Sequence, residues 1–240
     1  MRLQSVIRAI YPAQCVACDV PTVAEFGLCG SCWGDAQFIG GLVCDTCGTP
    51  LPGDDCGEIV QCDDCMTIAR PWDRGRAALV YTGVGRRLVL SLKHGDRTDL
   101  ARPAALWMTR VIRPLLNDDT VLVPVPLHWI RLARRRYNQA ALLAHALGHA
   151  VERPVCADAL LRPKNTKSLE GHNRDARFAV LAGAIVPNPK RAAQIDGKSV
   201  LLVDDVMTSG ATLAACAEAA KAAGAANVSI VTLARVVKDA

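Results

Sequence analysis

The segment Val200-Leu201-Leu202-Val203-Asp204-Asp205-Val206-Met207-Thr208-Ser209-Gly210-Ala211-Thr212 joins an apolar run to two carboxylates and a small-residue turn. Residues 199–203 are apolar and β-branched enough to predict a parallel strand that is buried on both faces. Asp204 and Asp205 then lie at the carboxyl end of this strand, where open α/β sheets bind ligands. The turn offers the hydroxyl groups of Thr208, Ser209 and Thr212 and the backbone N–H groups of Gly210 and Ala211. Because a helix over 212–223 follows, the turn predicts a phosphate site.

Two carboxylates beside a phosphate site indicate a sugar phosphate. They would repel a bare triphosphate but accept hydrogen bonds from the two hydroxyls of a ribose. A receiver domain needs further functional residues on later strands, and only 35 residues follow Asp205; a Walker B strand needs a Gly-x-x-x-x-Gly-Lys-Ser/Thr loop, which the sequence lacks. A purely structural use of these residues as helix caps stays open. The segment resembles the phosphoribosyl pyrophosphate (PRPP) signature of type I phosphoribosyltransferases.

The overall composition is that of a compact protein. Of the 240 residues, 51% are apolar and 4% are aromatic, and this length allows one or two domains. No apolar run reaches the roughly 18 residues of a membrane span, and Arg2 and Arg8 interrupt the apolar start, which makes it a poor signal peptide. We therefore expect a soluble, cytoplasmic protein with no membrane partner.

Charge and cysteine content both change near residue 70. Residues 1–70 contain three basic and nine acidic residues, a net charge of −6, whereas residues 71–240 carry +11. The basic part would attract phosphorylated ligands or nucleic acid, although solvated Arg-rich helix faces explain it equally well. We expect a cysteine-rich domain over 1–70 and a catalytic-type domain over 71–240.

Nine of the eleven cysteines precede residue 66. Eight of them form the Cys-x-x-Cys pairs Cys15/Cys18, Cys29/Cys32, Cys44/Cys47 and Cys62/Cys65. Two such pairs supply the four thiolates of a closed structural zinc site, so the spacing predicts a double zinc ribbon with two structural Zn²⁺ ions. The lack of a secretion signal disfavours a disulfide framework, and the evenly repeated spacing disfavours an iron–sulfur cluster.

The pairing of the four Cys-x-x-Cys motifs stays open at this point. Sequential pairing is simplest, but interleaved pairing fits the spacing too. Cys56 is either a replacement ligand of the second site or, as a lone cysteine in a polar loop, a spare residue. Cys156 and Cys216 lie in Ala-rich surroundings and are interpreted as small core residues.

Residues 71–240 alternate predicted strands and helices. We expect strands at 77–81, 121–125, 199–203 and from Asn227, and helices at 86–93, 99–116, 138–150 and 212–223. Residues 160–178 show no clear period. The alternation predicts an α/β fold with a mostly parallel sheet flanked by helices.

A second candidate ligand site follows the strand at 121–125. Prolines end this strand, and a basic segment comes after the turn. Guanidinium groups suit a pyrophosphate because they offer paired donors and a permanent charge. The residues expected to bind it are Pro126, Leu127, His128, Arg131 and Arg135, with Arg134 and Arg136 adjoining them. The alternative is a basic helix start that faces solvent. His128 is interpreted as a packing or hydrogen-bonding residue rather than a general base, and no catalytic residue is identified.

Taken together, these motifs resemble the ComF family, which joins a double zinc ribbon to a phosphoribosyltransferase-like domain. The segments that carry the resemblance are the Cys pairs, Leu92-Lys93-His94-Gly95-Asp96, Val123-Pro124-Val125-Pro126-Leu127-His128, Arg136-Tyr137-Asn138-Gln139 and the PRPP signature. The resemblance implies a type I phosphoribosyltransferase fold for 71–240. It also implies that Asp204 and Asp205 hold the ribose hydroxyls, residues 208–212 the 5′-phosphate, and residues 124–131 the pyrophosphate of PRPP with Mg²⁺.

One segment departs from the family pattern. Residues 166–171 resemble the family's flexible loop, but Leu169 stands where a Gln is expected. Arg162, Lys164, Arg174, Arg177 and Phe178 still fit the pattern. The missing polar side chain weakens the case for turnover and leaves the case for ligand binding as it is.

Three functions stay open. The first is a phosphoribosyltransferase with an unidentified acceptor, and the second is a nucleic-acid-handling protein with a partner in the DNA-uptake machinery, the role that the family resemblance implies. The third is a PRPP-sensing regulator without chemistry. Trp33, Trp72, Trp107 and Trp129 are the only large aromatic platforms, so we expect weak, salt-sensitive nucleic-acid binding.

Overall fold

The computed structural model describes residues 12–237, except 24, 166–177, 179 and 182. The whole segment 166–171 that resembles the family's flexible loop, including Leu169, lies outside the described residues, as do Arg174 and Arg177. Within the described part, no helix has both the length and the apolarity needed to cross a bilayer.

Six strands are present in the described residues. They are β1 (Arg74–Val80), β2 (Val121–Pro124), β3 (Leu160–Leu161), β4 (Val186–Pro187), β5 (Ser199–Met207) and β6 (Asn227–Arg235). Four of them form a parallel sheet in the order β1-β6-β5-β2. The short strands β3 and β4 form a separate antiparallel pair. The predicted α/β class with a mostly parallel sheet is confirmed.

Seven described helices accompany the strands. They are α1 (Gly30–Asp35), α2 (Asp63–Thr67), α3 (Gly83–His94), α4 (Ala101–Ile112), α5 (Trp129–Arg135), α6 (Gln139–Val151) and α7 (Ala211–Ala222), with 3-10 turns at Thr98–Leu100, Arg113–Leu115 and Ala192–Gln194. The single helix expected at 99–116 is therefore α4 between two 3-10 turns. Pro114 ends the regular hydrogen bonding because proline has no N–H group.

Helices cover both faces of the sheet, as a buried parallel sheet requires. On one face α3, α4 and α6 pack against alternate β5 residues such as Leu201 and Val203. On the other face α7 packs against Val200 and Leu202. Cysteines of the amino-terminal part join both cores, the earlier ones on the first face and the later ones on the second. The Cys-rich part is therefore built into the core.

The end of β5 corrects one prediction. The sequence predicts a strand that stops at Val203 and exposes both carboxylates. Instead, β5 continues to Met207 because β6 pairs with it, with Asp204 opposite Thr232 and Met207 opposite Arg235. The other neighbour, β2, already ends at Pro124 opposite Val203. Asp204 and Asp205 thus lie beyond the end of β2 but within the paired length of β5.

Candidate ligand site and zinc centres

Eight cysteines form two compact clusters, and in each the four Sγ atoms lie within 4.8 Å of one another. The clusters are Cys15, Cys18, Cys29 and Cys32, and Cys44, Cys47, Cys62 and Cys65. One Sγ pair in each cluster is 3.6 Å apart. This is near the roughly 3.8 Å edge of a tetrahedron with Zn–S bonds of about 2.3 Å, and far beyond a disulfide bond of about 2 Å. The donor sets fit Zn²⁺, and the sequential pairing is the one present.

Both zinc ribbons repeat the same local structure. The first Cys-x-x-Cys pair of each is followed by a residue with left-handed backbone, Asp19 at φ 61° and Gly48 at φ 69°. The second pair begins a short helix, with Cys29 before α1 and Cys62 before α2 as the N-caps. Cys56 is exposed and lies outside both clusters. It is the spare cysteine rather than a replacement ligand.

The hydroxyl-rich turn, residues 208–212, connects β5 to α7 and is called the hydroxyl loop below. Gly210 has a φ of 83°, a conformation that side chains disfavour, and it turns the chain into α7. Thr208 is exposed, whereas Ser209 and Thr212 are half-buried. The Ser209 Oγ accepts a hydrogen bond from the Ala211 N–H at 3.4 Å. The loop therefore presents hydroxyl groups at the carboxyl edge of the sheet, as the sequence predicts.

The two carboxylates have different surroundings. Asp205 is 2% exposed, and its Oδ1 lies 3.0 Å from the Nζ of Lys93. Its Oδ2 has no hydrogen-bond partner among the described residues. Asp204 is half-buried, and its Oδ1 accepts the backbone N–H of Asp205. Burial and the charge of Asp205 raise the pKa of Asp204 to about 7. Asp204 therefore changes charge near neutral pH, while Asp205 belongs to a buried ion pair.

A series of three interacting guanidinium groups, those of Arg162, Arg131 and Arg135, begins beside Asp204. Arg162 follows β3 and is 7% exposed, and its charge opposes the rise in the pKa of Asp204. Burial, together with the charge of Arg131, lowers the pKa of Arg162. Burial and the charge of Arg135 lower the pKa of Arg131 in the same way. Such mutual destabilisation of cations means that an anion bound among them would be stabilised.

The turn between β2 and α5 is more buried than an open ligand site. Pro126 and His128 are buried and Leu127 is half-buried. The Nδ1 of His128 accepts the N–H of Ile130 at 3.3 Å and thereby caps α5, which is the hydrogen-bonding role expected for His128. A pyrophosphate bound here would meet the backbone of the turn rather than these two buried side chains.

The two residues before α6, Tyr137 and Asn138, connect this helix to the elements that carry the candidate site. The Oη of Tyr137 donates to the carbonyl oxygen of Leu92 at 2.7 Å, one residue before Lys93. The Nδ2 of Asn138 donates to the carbonyl oxygen of Val125 at 3.0 Å. Because these bonds join α3 and the end of β2 to the start of α6, they position Lys93 beside the carboxylates.

Four basic residues at the site were given no ligand role from the sequence: Lys93, Arg162, Arg70 and Arg235. Arg235 ends the apolar strand β6 at 5% exposure and donates to the carbonyl oxygen of Thr208 at 2.6 Å. Arg70 donates to the carbonyl oxygen of Ser209 at 2.7 Å. The sequence offers one signal for these residues: Arg235 ends an otherwise apolar strand. Because a buried charge needs specific partners, an arginine in that position indicates a specific role.

Comparison with known proteins agrees with this architecture. The double zinc ribbon domain family matches residues 6–66, and the phosphoribosyl transferase domain family matches residues 108–239. The chain is 28% identical over 233 residues to the DNA utilization protein YhgH of Salmonella typhimurium, a match that covers 93% of this chain and 97% of that protein.

Two further relatives carry competence names. Competence protein F of Haemophilus influenzae is 26% identical over 218 residues, covering 89% of this chain and 92% of that protein. Competence protein ComFC of Bacillus subtilis is 28% identical over 216 residues, covering 87% and 84% respectively. Because the phosphoribosyl transferase match spans more than half of the sequence, the chain belongs to the phosphoribosyl transferase domain family, and its amino-terminal double zinc ribbon completes the domain combination of the ComF family.

Proposed function

We propose that the chain binds a ribose 5-phosphate group, in the form of PRPP with Mg²⁺, at the edge formed by Asp204, Arg162 and the hydroxyl loop. One observation carries the proposal: the half-buried carboxylate of Asp204, whose pKa is near 7, interacts with the charge of the buried Arg162 guanidinium and lies four residues before the hydroxyl loop at the same end of β5. A carboxylate accepts hydrogen bonds from ribose hydroxyls, while N–H groups and guanidinium groups bind phosphate oxygens. The carboxylate, the hydroxyl loop and the guanidinium groups thus correspond to the ribose, the 5′-phosphate and the pyrophosphate of PRPP.

The oxygen donors at the site also fit Mg²⁺. This ion prefers a few carboxylate oxygens together with water and substrate phosphates. Asp204 and the Oδ2 of Asp205, which has no hydrogen-bond partner among the described residues, would hold it together with the pyrophosphate oxygens. Bound there, Mg²⁺ supplies neutralisation of the pyrophosphate charge.

If an acceptor joins PRPP, the chemistry that this site supports is displacement at C1′. The bond from the acceptor to C1′ forms as the bond from C1′ to the pyrophosphate oxygen breaks, and the electron pair leaves with pyrophosphate. The contribution of this chain is to position the ribose through Asp204 and to stabilise the leaving charge through Arg131 and Arg135. A PRPP-sensing regulator would use the same residues for binding alone.

Asp204→Asn tests the ribose contact. We expect it to weaken ribose 5-phosphate binding by about 1.5–3 kcal/mol for each charge-assisted hydrogen bond that the variant cannot form. In the parent protein the affinity should rise between about pH 6 and pH 8, by up to about tenfold per pH unit below 7, because Asp204 gains its charge there. The variant should lack this rise. Isothermal titration calorimetry at both pH values measures it.

Asp158→Asn is the matched control, because Asp158 forms an exposed ion pair with Arg191 and lies outside the site. The second ionisation of the ligand's phosphate affects the parent protein and both variants equally. The ratio of the parent's affinity to that of Asp204→Asn therefore reports the contribution of Asp204 alone. Unchanged affinity of Asp204→Asn at pH 8 would remove this carboxylate from the ligand site.

The double variant Arg131→Gln/Arg135→Gln tests the pyrophosphate contact. We expect it to reduce the affinity for PRPP with Mg²⁺ to that for ribose 5-phosphate, while ribose 5-phosphate affinity changes by less than about twofold, because only the former ligand carries a pyrophosphate. Arg134→Gln/Arg136→Gln, on the same short basic segment, should leave both affinities unchanged. An equal loss of affinity for both ligands would assign the first pair to the fold or to the whole site.

A second candidate function is binding of single-stranded nucleic acid at α5. Trp129 is 68% exposed on this helix, whereas Trp72 and Trp107 are buried. An exposed ring on a helix that also carries Arg131 and Arg134 offers base stacking together with phosphate contacts. The names of the relatives, DNA utilization protein and competence protein, support a role in DNA uptake. In this case the arginine double variant lowers oligonucleotide affinity only in part and reduces the salt slope by about one for each phosphate that the protein no longer neutralises.

A further inference from the structure

Two arginines donate hydrogen bonds to backbone carbonyl oxygens of the hydroxyl loop. The Nη1 of Arg235 lies 2.6 Å from the carbonyl oxygen of Thr208. The Nη1 of Arg70 lies 2.7 Å from the carbonyl oxygen of Ser209. Arg235 is 5% exposed, and the Arg70 guanidinium lies over the ring of Trp72 at 5.3 Å. Both donors are therefore held in place by packing as well as by hydrogen bonds.

The direction of these carbonyl groups determines the direction of the N–H groups that follow. In a trans peptide unit, the C=O of one residue and the N–H of the next point in opposite directions. The N–H of Ser209 therefore points away from Arg235, and the N–H of Gly210 points away from Arg70. Such N–H groups are the donors that a phosphate in this loop requires.

The same arginines connect the loop to the second zinc ribbon. The Nη2 of Arg235 lies 4.0 Å from the Sγ of Cys47, a member of the second cysteine cluster. Trp72, beneath Arg70, donates its Nε1 hydrogen to the carbonyl oxygen of Thr46 at 2.7 Å. Thr46 belongs to the turn between Cys44 and Cys47, so Arg235 contacts this metal-binding turn directly and Arg70 contacts it through Trp72.

These contacts leave little space for adjustment. A Cβ atom on Gly48 would lie 2.7 Å from the backbone nitrogen of Ala77, and a Cβ atom on Gly210 would lie 2.9 Å from the Nη1 of Arg70. Real Cβ atoms do not approach so closely, because packed atoms repel one another below van der Waals distance. Because Arg235 contacts Cys47, and Arg70 lies over Trp72, which donates to Thr46, a displacement of the second ribbon would act on both arginines and through them on the loop.

We propose that Arg70 and Arg235 are positioning residues that couple the second zinc site to the sugar-phosphate site, so that zinc and ligand stabilise each other's binding. The inference rests on the proposed function, because it requires a ligand in the hydroxyl loop. Coupling between two sites is reciprocal: if zinc raises ligand affinity by some factor, ligand raises zinc affinity by the same factor. The first zinc site packs on the opposite face of the sheet and serves as an internal reference.

The test measures zinc rather than catalysis. Calorimetry first establishes that ribose 5-phosphate binds the zinc-loaded, full-length protein. Equilibrium competition with a chromogenic chelator then follows both zinc ions, with saturating ribose 5-phosphate or with ribose as the control. We expect the phosphorylated sugar to raise the chelator concentration needed to remove one zinc ion by at least about fivefold, at the lower end of typical coupling, and to leave the other zinc ion unaffected.

Arg70→Met should weaken ribose 5-phosphate binding at least about fivefold and reduce the protection of zinc by the same factor. Arg74→Met is the matched control, since Arg74 also ties the second ribbon to the sheet, through Asp45 at 2.9 Å, but does not touch the loop. Arg70 is half-buried, which makes its variant a safer choice than one of buried Arg235.

The outcomes separate the two proposals. Binding of ribose 5-phosphate without any change in zinc affinity would overturn the coupling and leave the proposed function standing. A loss of ligand affinity that is as large in Arg74→Met as in Arg70→Met would assign the effect to general ribbon docking and overturn the positioning role. Absence of ligand binding in the parent protein would defeat the proposed function, and the coupling with it.

Discussion

Replacing Cys44 and Cys47 with Ser is expected to remove one zinc ion per chain and to destabilise the fold severely. The two side chains are 0% and 1% exposed and share a core with Met207 and Leu213. Structural zinc contributes on the order of 10 kcal/mol to folding, which is comparable to the whole stability of about 5–15 kcal/mol of a typical domain. Metal analysis should find two zinc ions in the parent protein and one in the variant, and circular dichroism during heating should show a much lower transition temperature in the variant.

Cys56→Ser is the matched control, because Cys56 is exposed and outside both clusters. It should retain two zinc ions and melt like the parent protein. If the double Ser variant retained both zinc ions, or melted like the Cys56 variant, the assignment of the second cluster as a structural zinc site would be wrong.

Asp205→Asn is expected to destabilise the fold by about 3–5 kcal/mol, the usual effect of removing one partner from a buried ion pair. Asp205 is 2% exposed, and the Lys93 side chain with which it pairs at 3.0 Å is 19% exposed, so water replaces the missing carboxylate poorly. Urea denaturation followed by fluorescence measures the change in the free energy of unfolding.

Asp99→Asn provides the comparison for Asp205→Asn. Asp99 pairs with Arg97 at 2.9 Å, but the two side chains are 46% and 35% exposed, and such surface pairs contribute about 0–1 kcal/mol. Equal, small effects of the two variants would show that the Lys93 pair adds nothing to stability. Because Asp205→Asn is expected to destabilise the fold, a loss of ligand binding in that variant would have two explanations. Asp204 is therefore the position at which ligand binding should be tested.

The features that the sequence predicts well are those with a local cause. The apolar segment that becomes β5 forms a strand because its residues suit a sheet covered on both faces. The Cys-x-x-Cys pairs place two thiolates on one turn, so their spacing alone indicates the type of metal. The Gly in the hydroxyl loop likewise marks the turn into α7, where Gly210 has a positive φ.

The features that were missed depend on neighbours distant in the chain. Pairing with β6 extends β5 past the two carboxylates to Met207, and no pattern within the segment reveals that partner. Lys93 pairs with Asp205, and Arg70 binds a carbonyl group 139 residues further along the chain. The helix α5 has no buried residue, so it lacks the apolar stripe by which a helix is predicted.

For this protein, the sequence by itself determined the fold class, the two zinc ribbons and the place of the hydroxyl loop, since propensity, spacing and turn geometry act over a few residues. Only the tertiary structure decided which ionisable groups face one another, because burial and charge partners depend on how the strands and ribbons pack. That packing makes Asp205 a member of a buried ion pair and raises the pKa of Asp204 to about 7. It also places Arg235 between Cys47 and the hydroxyl loop, a contact between three separate parts of the chain that no local pattern encodes.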